Sequence, residues 1–124
     1  NQMEASIYTG ENDLEPIIHA LEKSGIPEIV LTLGAQGVIH IKDEVIHLKD
    51  EALFEAVHLS GVGDAFMAGV LLAEKDSNFD TAFALAALTA KHEGATPPLH
   101  AYHSLNQERK NRHVSIQKRR PRRP

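Results

Sequence analysis

Apolar residues first recur at helical spacing between Asn12 and Ser24, where Leu14, Ile17, Ile18 and Leu21 share one face. Asn12 or Asp13 stands at the capping position, Pro16 is tolerated in the first turn, and Gly25 stops the helix. Ile29-Val30-Leu31-Thr32-Leu33 is a continuous apolar run, the mark of a buried strand. Gly34-Ala35-Gln36-Gly37 turns the chain. Val38 to Ile41, a polar Lys42-Asp43-Glu44 turn and Val45 to Leu48 then give the pattern of a hairpin, with His40 and His47 as strand residues on a half-exposed face. A short apolar run (Ala56, Val57, Leu59) leads into Gly61-Val62-Gly63-Asp64, and the pattern predicts a helix from about Val62 to Glu74. Asp76-Ser77-Asn78 breaks and caps the chain before an Ala-rich helix from about Phe79 to His92, which Gly94 and Pro97-Pro98 end. Ala82, Ala86, Ala87 and Ala90 suit tight contact with a neighbouring helix or with a flat ligand. The alternation of helix and strand predicts an α/β fold whose sheet is mainly parallel, with an antiparallel hairpin inserted. Ligands of such folds sit at the carboxyl ends of the strands.

Composition bounds the chemistry. The 124 residues suffice for one domain, and 42% hydrophobic content can bury a core. The chain has no cysteine, hence no disulfide and no thiolate chemistry. No run is long enough to span a bilayer, and the N-terminus lacks the order of a signal peptide. All this suits a cytoplasmic protein. The eight His show no ligand spacing, which argues against a His-held metal. The net charge of -4 hides a split. Residues 1–108 hold all 17 acidic residues and only five of the 13 Lys and Arg, a net -12. The last sixteen residues hold the other eight basic residues and no acid. Residues 106–124 have the composition of a disordered tail, so the expected division is 1–105 as the folded part and 106–124 as a basic tail.

The chemically loaded stretch is Gly61-Val62-Gly63-Asp64-Ala65-Phe66. Two glycines allow a sharp turn that leaves backbone N–H groups uncovered. A helix that starts there adds the positive end of its dipole, so the turn suits a phosphate. Asp64 in the first helical turn reads two ways: as a charge stabilised by the dipole, or as a base that takes a proton from a hydroxyl attacking the phosphate.

Gly61 to Phe66 resembles the GAGDxF signature of the ribokinase-like (PfkB) carbohydrate and nucleoside kinases. Thr32-Leu33-Gly34-Ala35-Gln36-Gly37 resembles that family's TLGxxG turn, and Asn1-Gln2-Met3-Glu4 its NxxE motif. His58-Leu59-Ser60 and Phe66-Met67-Ala68-Gly69 look most like pseudouridine and related nucleoside kinases. The resemblance covers about residues 1–100 and only the C-terminal half of the family's three-layer α/β/α fold. It implies a chain without the substrate-binding half, the lid and the strand upstream of Asn1.

By resemblance, Asp64 is the catalytic base, and Gly61, Val62 and Gly63 form the anion hole. Asn1 and Glu4 organise Mg²⁺. Thr32, Gly34 and Gly37 line the phosphate and ribose of ATP, and Ala86 to Ala90, with Ala87, together with Gly94 form the adenine wall. Plain alternatives stand beside these: Glu4 as a helix N-terminal charge, Gly34 and Gly37 as hairpin glycines. The family often holds K⁺ in the loop before its first glycine, but His58-Leu59-Ser60 replaces the usual Asp-Thr-Thr. The family also ends soon after the counterpart of Gly94-Ala95-Thr96, so residues 106–124 read as an extension or a frame-shifted end. The resemblance implies transfer of the γ-phosphoryl of MgATP to a sugar or nucleoside such as pseudouridine, with a complementary N-terminal half as partner. The alternatives are an inactive truncated chain and a nucleic-acid binder acting through its basic tail.

Overall fold

The structure is a computed structural model that describes residues 1–50, 61–73, 75–76, 78–92 and 99–124. The chain divides into two compact units, residues 1–49 with 116–124, and residues 50–115.

In the first unit two helices, α1 (Gln2–Thr9) and α2 (Leu14–Lys23), pack on a sheet. Its strands β1 (Ile29–Thr32), β2 (Val38–Ile41), β3 (Glu44–Asp50) and β4 (Val114–Pro121) lie in the order β1-β2-β3-β4. The core follows the two periodicities of the sequence. Ile17, Ile18 and Leu21 come from α2, spaced by three and four, and meet Leu31, Ile39, Ile41 and Val45 from the strands. Register makes these strand residues neighbours: Leu31 pairs with Ile39, and Ile41 with Val45. His40 bonds Glu28 Oε1 at 2.8 Å, and His47 bonds the carbonyl of Gln36 at 2.5 Å, so both are strand residues engaged locally.

Two expectations are corrected here, and one plain alternative is filled in. β2 pairs with β3 antiparallel, as the hairpin pattern predicts, but β1 also pairs with β2 antiparallel, so the sheet is not mainly parallel among these strands. The connections explain it: residues 33–37 and 42–43 are turns, while a parallel pair needs a crossover of about a dozen residues or more. Next, α1 opens on the NxxE motif itself. Asn1 caps the helix by accepting the Glu4 N–H at 2.9 Å, and the Glu4 carboxylate reaches back to the Asn1 nitrogen at 3.2 Å. This is a capping box.

The second correction concerns residues 106–124, which form the end of helix α5 (Leu105–Asn111) and β4. The basic residues find the acidic ones. Glu22 of α2 is only 3% exposed. The Arg120 guanidinium grips both of its carboxylate oxygens, and the Arg123 backbone N–H donates to it at 2.7 Å. Arg122 donates to the carbonyls of Pro27 (2.9 Å) and Glu22 (3.0 Å), while its own N–H reaches the Asp43 carbonyl (2.9 Å). Arg119 pairs with Glu15, and Lys118 with Glu44.

The second unit is built on α3 (Val62–Leu72), α4 (Asp80–Ala90) and α5, with a 3-10 turn at Leu99–Ser104. Every residue of α4 from Thr81 to Ala90 is buried. Its small side chains permit close approach: a Cβ on Gly69 of α3 would overlap Ala82 Cα and stand 2.8 Å from its nitrogen. Phe66 packs edge-on to Phe83 with centroids 5.0 Å apart and lies 6.0 Å from Phe79. The Asp76 carboxylate accepts from Thr81 N (3.0 Å) and Oγ1 (2.5 Å) and so caps α4, as the sequence suggests. The Thr81 hydroxyl bond, with Arg109 nearby, holds the Asp76 carboxyl below its ordinary range. Buried Asp50 and Glu108 meet the Arg112 guanidinium at 3.4 and 3.3 Å. No helix among the described residues is long and apolar enough to cross a membrane.

Two outcomes follow from this packing. Gly69→Val drives a branched side chain into the Ala82 backbone and should destabilise the chain by about 2 kcal/mol or more, read as a lower urea midpoint. The Arg120 hydrogen bond holds the Glu22 carboxyl below its ordinary value of 4.5. A carboxyl depressed on folding stabilises above its unfolded pKa, and the contribution is lost as pH falls through the folded value. Thermal stability should therefore drop below about pH 4.5. Glu22→Gln should melt lower at neutral pH and show a flatter acid limb; parallel curves for the two proteins would dismiss the Glu22–Arg120 pair as the cause.

Candidate active site

The glycine turn places Asp64 as expected. Gly61 is the N-cap of α3, with φ 76, a left-handed conformation open to glycine at little cost. The first backbone bond of the helix runs from Ala65 N–H to the Gly61 carbonyl at 2.9 Å. The N–H groups of Val62, Gly63 and Asp64 precede that bond, so no helical carbonyl accepts them. Gly63 leaves open space above this turn, since a Cβ there would meet nothing within 4 Å. Asp64 is exposed and acidic in the first turn. Its side chain makes no capping bond, and among the described residues it forms no ion pair. Among the described residues the arrangement is three N–H groups without an acceptor, a positive helix end and a carboxylate without an ion pair, all in one turn. It can hold an anion and accept a proton from a hydroxyl beside it.

Of the other candidates, Thr32, Gly34, Gly37, Asn1 and Glu4 lie in the first unit. Thr32 ends β1 and pairs with Val38. Gly34 opens a 3-10 turn (Gly34–Gln36) at φ 58, and Gly37 closes it at φ 92 and ψ -135. Leu33 N–H donates to the Gly37 carbonyl at 2.8 Å, which ties the base of the turn. Gly37 is required twice over: its backbone is confined to glycine, and a Cβ would overlap the Leu48 carbonyl oxygen. Asn1 and Glu4 sit together in the capping box of α1, the Glu4 carboxylate accepting from Asn1 Nδ2 at 3.1 Å as well. Ala87 is 2% exposed within α4. Gly94 and His58-Leu59-Ser60 lie outside the described residues.

Among the described residues no group of three or more His, Cys, Asp or Glu could hold a metal ion. Glu4 and Asn1 offer oxygen donors of the kind a hard cation prefers. A Mg²⁺ bound there would rest on one carboxylate, with nucleotide phosphates and water as its other ligands, which is how Mg²⁺ is commonly held.

The amino-acid sequence matches the pfkB family of carbohydrate kinases over residues 1–101. The chain belongs to that family. No curated protein matches it in sequence. Among solved structures it is similar to a protein taken to be a sugar kinase from Clostridium perfringens, at 21% identity and a TM-score of 0.82, over 97% of this chain and 41% of that one. It is also similar to a protein taken to be a phosphofructokinase from Staphylococcus aureus, at 20% identity and a TM-score of 0.69, over 98% of this chain and 41% of that one. A fructokinase double mutant from Vibrio cholerae O395, determined with fructose, ADP and potassium ion bound, matches at 24% identity and a TM-score of 0.64, over 84% of this chain and 38% of that one. This pfkB chain thus spans about two fifths of the length of these solved structures. Its fold is α/β and ribokinase-like, and partial. The first two structural matches run past residue 101, where the family's sequence match stops, and so reach into the segment expected to be disordered.

The two turn glycines separate a local from a steric requirement. Gly34→Ala, at positive φ with nothing within 4 Å, should cost about 1 kcal/mol. Gly37→Ala should cost clearly more, because the hairpin must also move off Leu48. Urea midpoints of the two variants measure the difference, and equal losses would overturn the turn geometry.

Proposed function

We propose that this chain supplies the nucleotide-binding part, with the catalytic base, of a kinase that transfers the γ-phosphoryl of MgATP to a hydroxyl of a sugar or nucleoside. The observation that supports the reading is the exposed Asp64 carboxylate on a helix turn whose first three N–H groups have no acceptor among the described residues. In the reaction Asp64 takes the proton of the acceptor hydroxyl as its oxygen attacks the γ-phosphorus. The new O–P bond forms while the bond to the bridging oxygen breaks, and ADP leaves with that electron pair. The N–H groups of Val62, Gly63 and Asp64 stand ready for the charge on the transferred group, a contribution that grows in the transition state.

On this reading Thr32, Gly34 and Gly37 border the phosphate and ribose of ATP, Ala87 and Gly94 the adenine, and Glu4 with Asn1 the Mg²⁺ and its waters. Mg²⁺ supplies charge neutralisation between the phosphates. The fructokinase determined with ADP and potassium supports a nucleotide and a monovalent cation such as K⁺ here. Pseudouridine is the acceptor we favour, on the likeness of His58-Leu59-Ser60 and Phe66-Met67-Ala68-Gly69 to nucleoside kinases. Binding of nucleic acid by the basic segment is disfavoured, because Arg109, Arg112, Lys118, Arg119 and Arg120 are drawn into ion pairs with carboxylates of this chain.

The test is a calorimetric titration with MgATP. Saturable binding is expected, weakened by Gly61→Val and spared by Asp64→Asn. In a kinase that contains this chain with a substrate-binding half, Asp64→Asn should lower turnover by about 10²-fold or more. Full turnover of Asp64→Asn would remove Asp64 as the base; failure of the parent chain to bind MgATP would remove the nucleotide site.

A further inference from the structure

At the other end of the first unit's strands the structure holds an open cleft of about 530 Å³, a size typical of small-molecule sites. The end of α2, the Lys42-Asp43 turn and the segment after β4 enclose it. β2 starts after Gly37 and ends before Lys42, so the length of a strand, roughly 13–16 Å, separates the cleft from the Gly34–Gly37 turn.

Four basic residues line the cleft: Lys23, Lys42, Arg122 and Arg123. Two side-chain carboxylates face them, and one is already matched; Pro124, which also lines the cleft, brings the terminal carboxylate of this chain. Glu22 is held by the Arg120 guanidinium and by the Arg123 backbone N–H, which leaves Asp43 as the other acid. Arg122 is fixed by the carbonyls of Pro27 and Glu22, which orient its guanidinium but do not cancel its charge. Lys23 and Lys42 are exposed, and their ammonium groups form no ion pair among the described residues. The surplus of positive charge comes from three separate pieces of chain, and carbonyl bonds fix the wall that carries Arg122. A monovalent anion would leave part of that surplus unmatched, whereas an anion with several charged oxygens offers a partner to each side. Lys binds phosphate as a point charge and Arg through its planar fork.

We propose that this cleft binds a small anion of the diphosphate or polyphosphate class, independently of the nucleotide site. The experiment is calorimetry of the full chain with pyrophosphate at about physiological ionic strength, where exposed charges more than a Debye length apart are already screened. We expect saturable binding that weakens at least about tenfold in Lys23→Ala/Lys42→Ala, a loss of roughly 1.4 kcal/mol, and is unchanged in Gly61→Val. Both lysines are exposed, so the double variant should keep its circular dichroism and melting midpoint. Lys42→Glu alone should weaken binding further than Lys42→Ala. Absence of saturable binding overturns the proposal, as does binding indifferent to the lysine pair. Binding abolished by Gly61→Val would place the pyrophosphate at the start of α3 and likewise overturn it, while leaving the kinase reading intact.

Discussion

A buried carboxylate must have a cation, and Glu22 sets much of the first unit by that demand. It sits on α2 beside Leu21, on the helix that fills the core, and it is almost wholly out of water. Removing a charge from water costs several kcal/mol unless its oxygens are paired and hydrogen-bonded. Arg120 and the Arg123 N–H meet both needs, and they come from the far end of the chain. The pair therefore ties the last strand to the second helix. A buried ion pair is weak evidence of net stability, but breaking one leaves an unmatched charge. The constraint thus acts through what its loss would leave behind: a buried carboxylate without its cation, beside a segment held otherwise by strand pairing and by more exposed bonds.

The same logic recurs in the second unit. Asp50, Glu108 and Asp76 are buried or half-buried acids, and Arg112, Lys91 and Arg109 come to them from α4 and α5. An acidic body and a basic end, separate in sequence, are matched in space. That matching explains why counting charges along the chain misleads about order. Residues 106–124 have few apolar groups and would not fold alone. They order because their partners already lie in the body.

What could be read from the sequence follows from the range of the forces involved. α2, β1, β2, β3, α3 and α4 appear as patterns of apolar residues because burial on one face is a local, periodic requirement. Asp76 as a cap was also local. The antiparallel direction of β2 and β3 was legible from the short turn at 42–43; that of β1 and β2 was missed, although the equally short turn at 33–37 carried the same information. α1 was legible only as the alternative that made Glu4 a helix N-terminal charge; the NxxE spacing is also that of a capping box. The order of α5 and β4 rests on pairs such as Arg120 with Glu22, separated by 98 residues, and no local pattern announces them. In the candidate site, the left-handed turn at Gly61 and the hairpin glycine at Gly37 were legible, since glycine is the residue that such backbone admits. The burial of Ala87 was legible only as one of two readings.

Exposure alone says little about Asp64, since acids on surfaces commonly lack partners. Its meaning comes from its neighbours in space. A carboxylate placed only to favour a helix start gains from the dipole anywhere in the first turn, and most such starts use a side chain to satisfy the free N–H groups. Here the capping position is Gly61, which has no side chain, and Gly63 keeps the space beside the turn empty. The two glycines withhold the groups that would close the turn, at a cost in backbone entropy. A helix start that no capping side chain closes among the described residues, with an acid beside it, is the arrangement that our proposal of a bound anion requires.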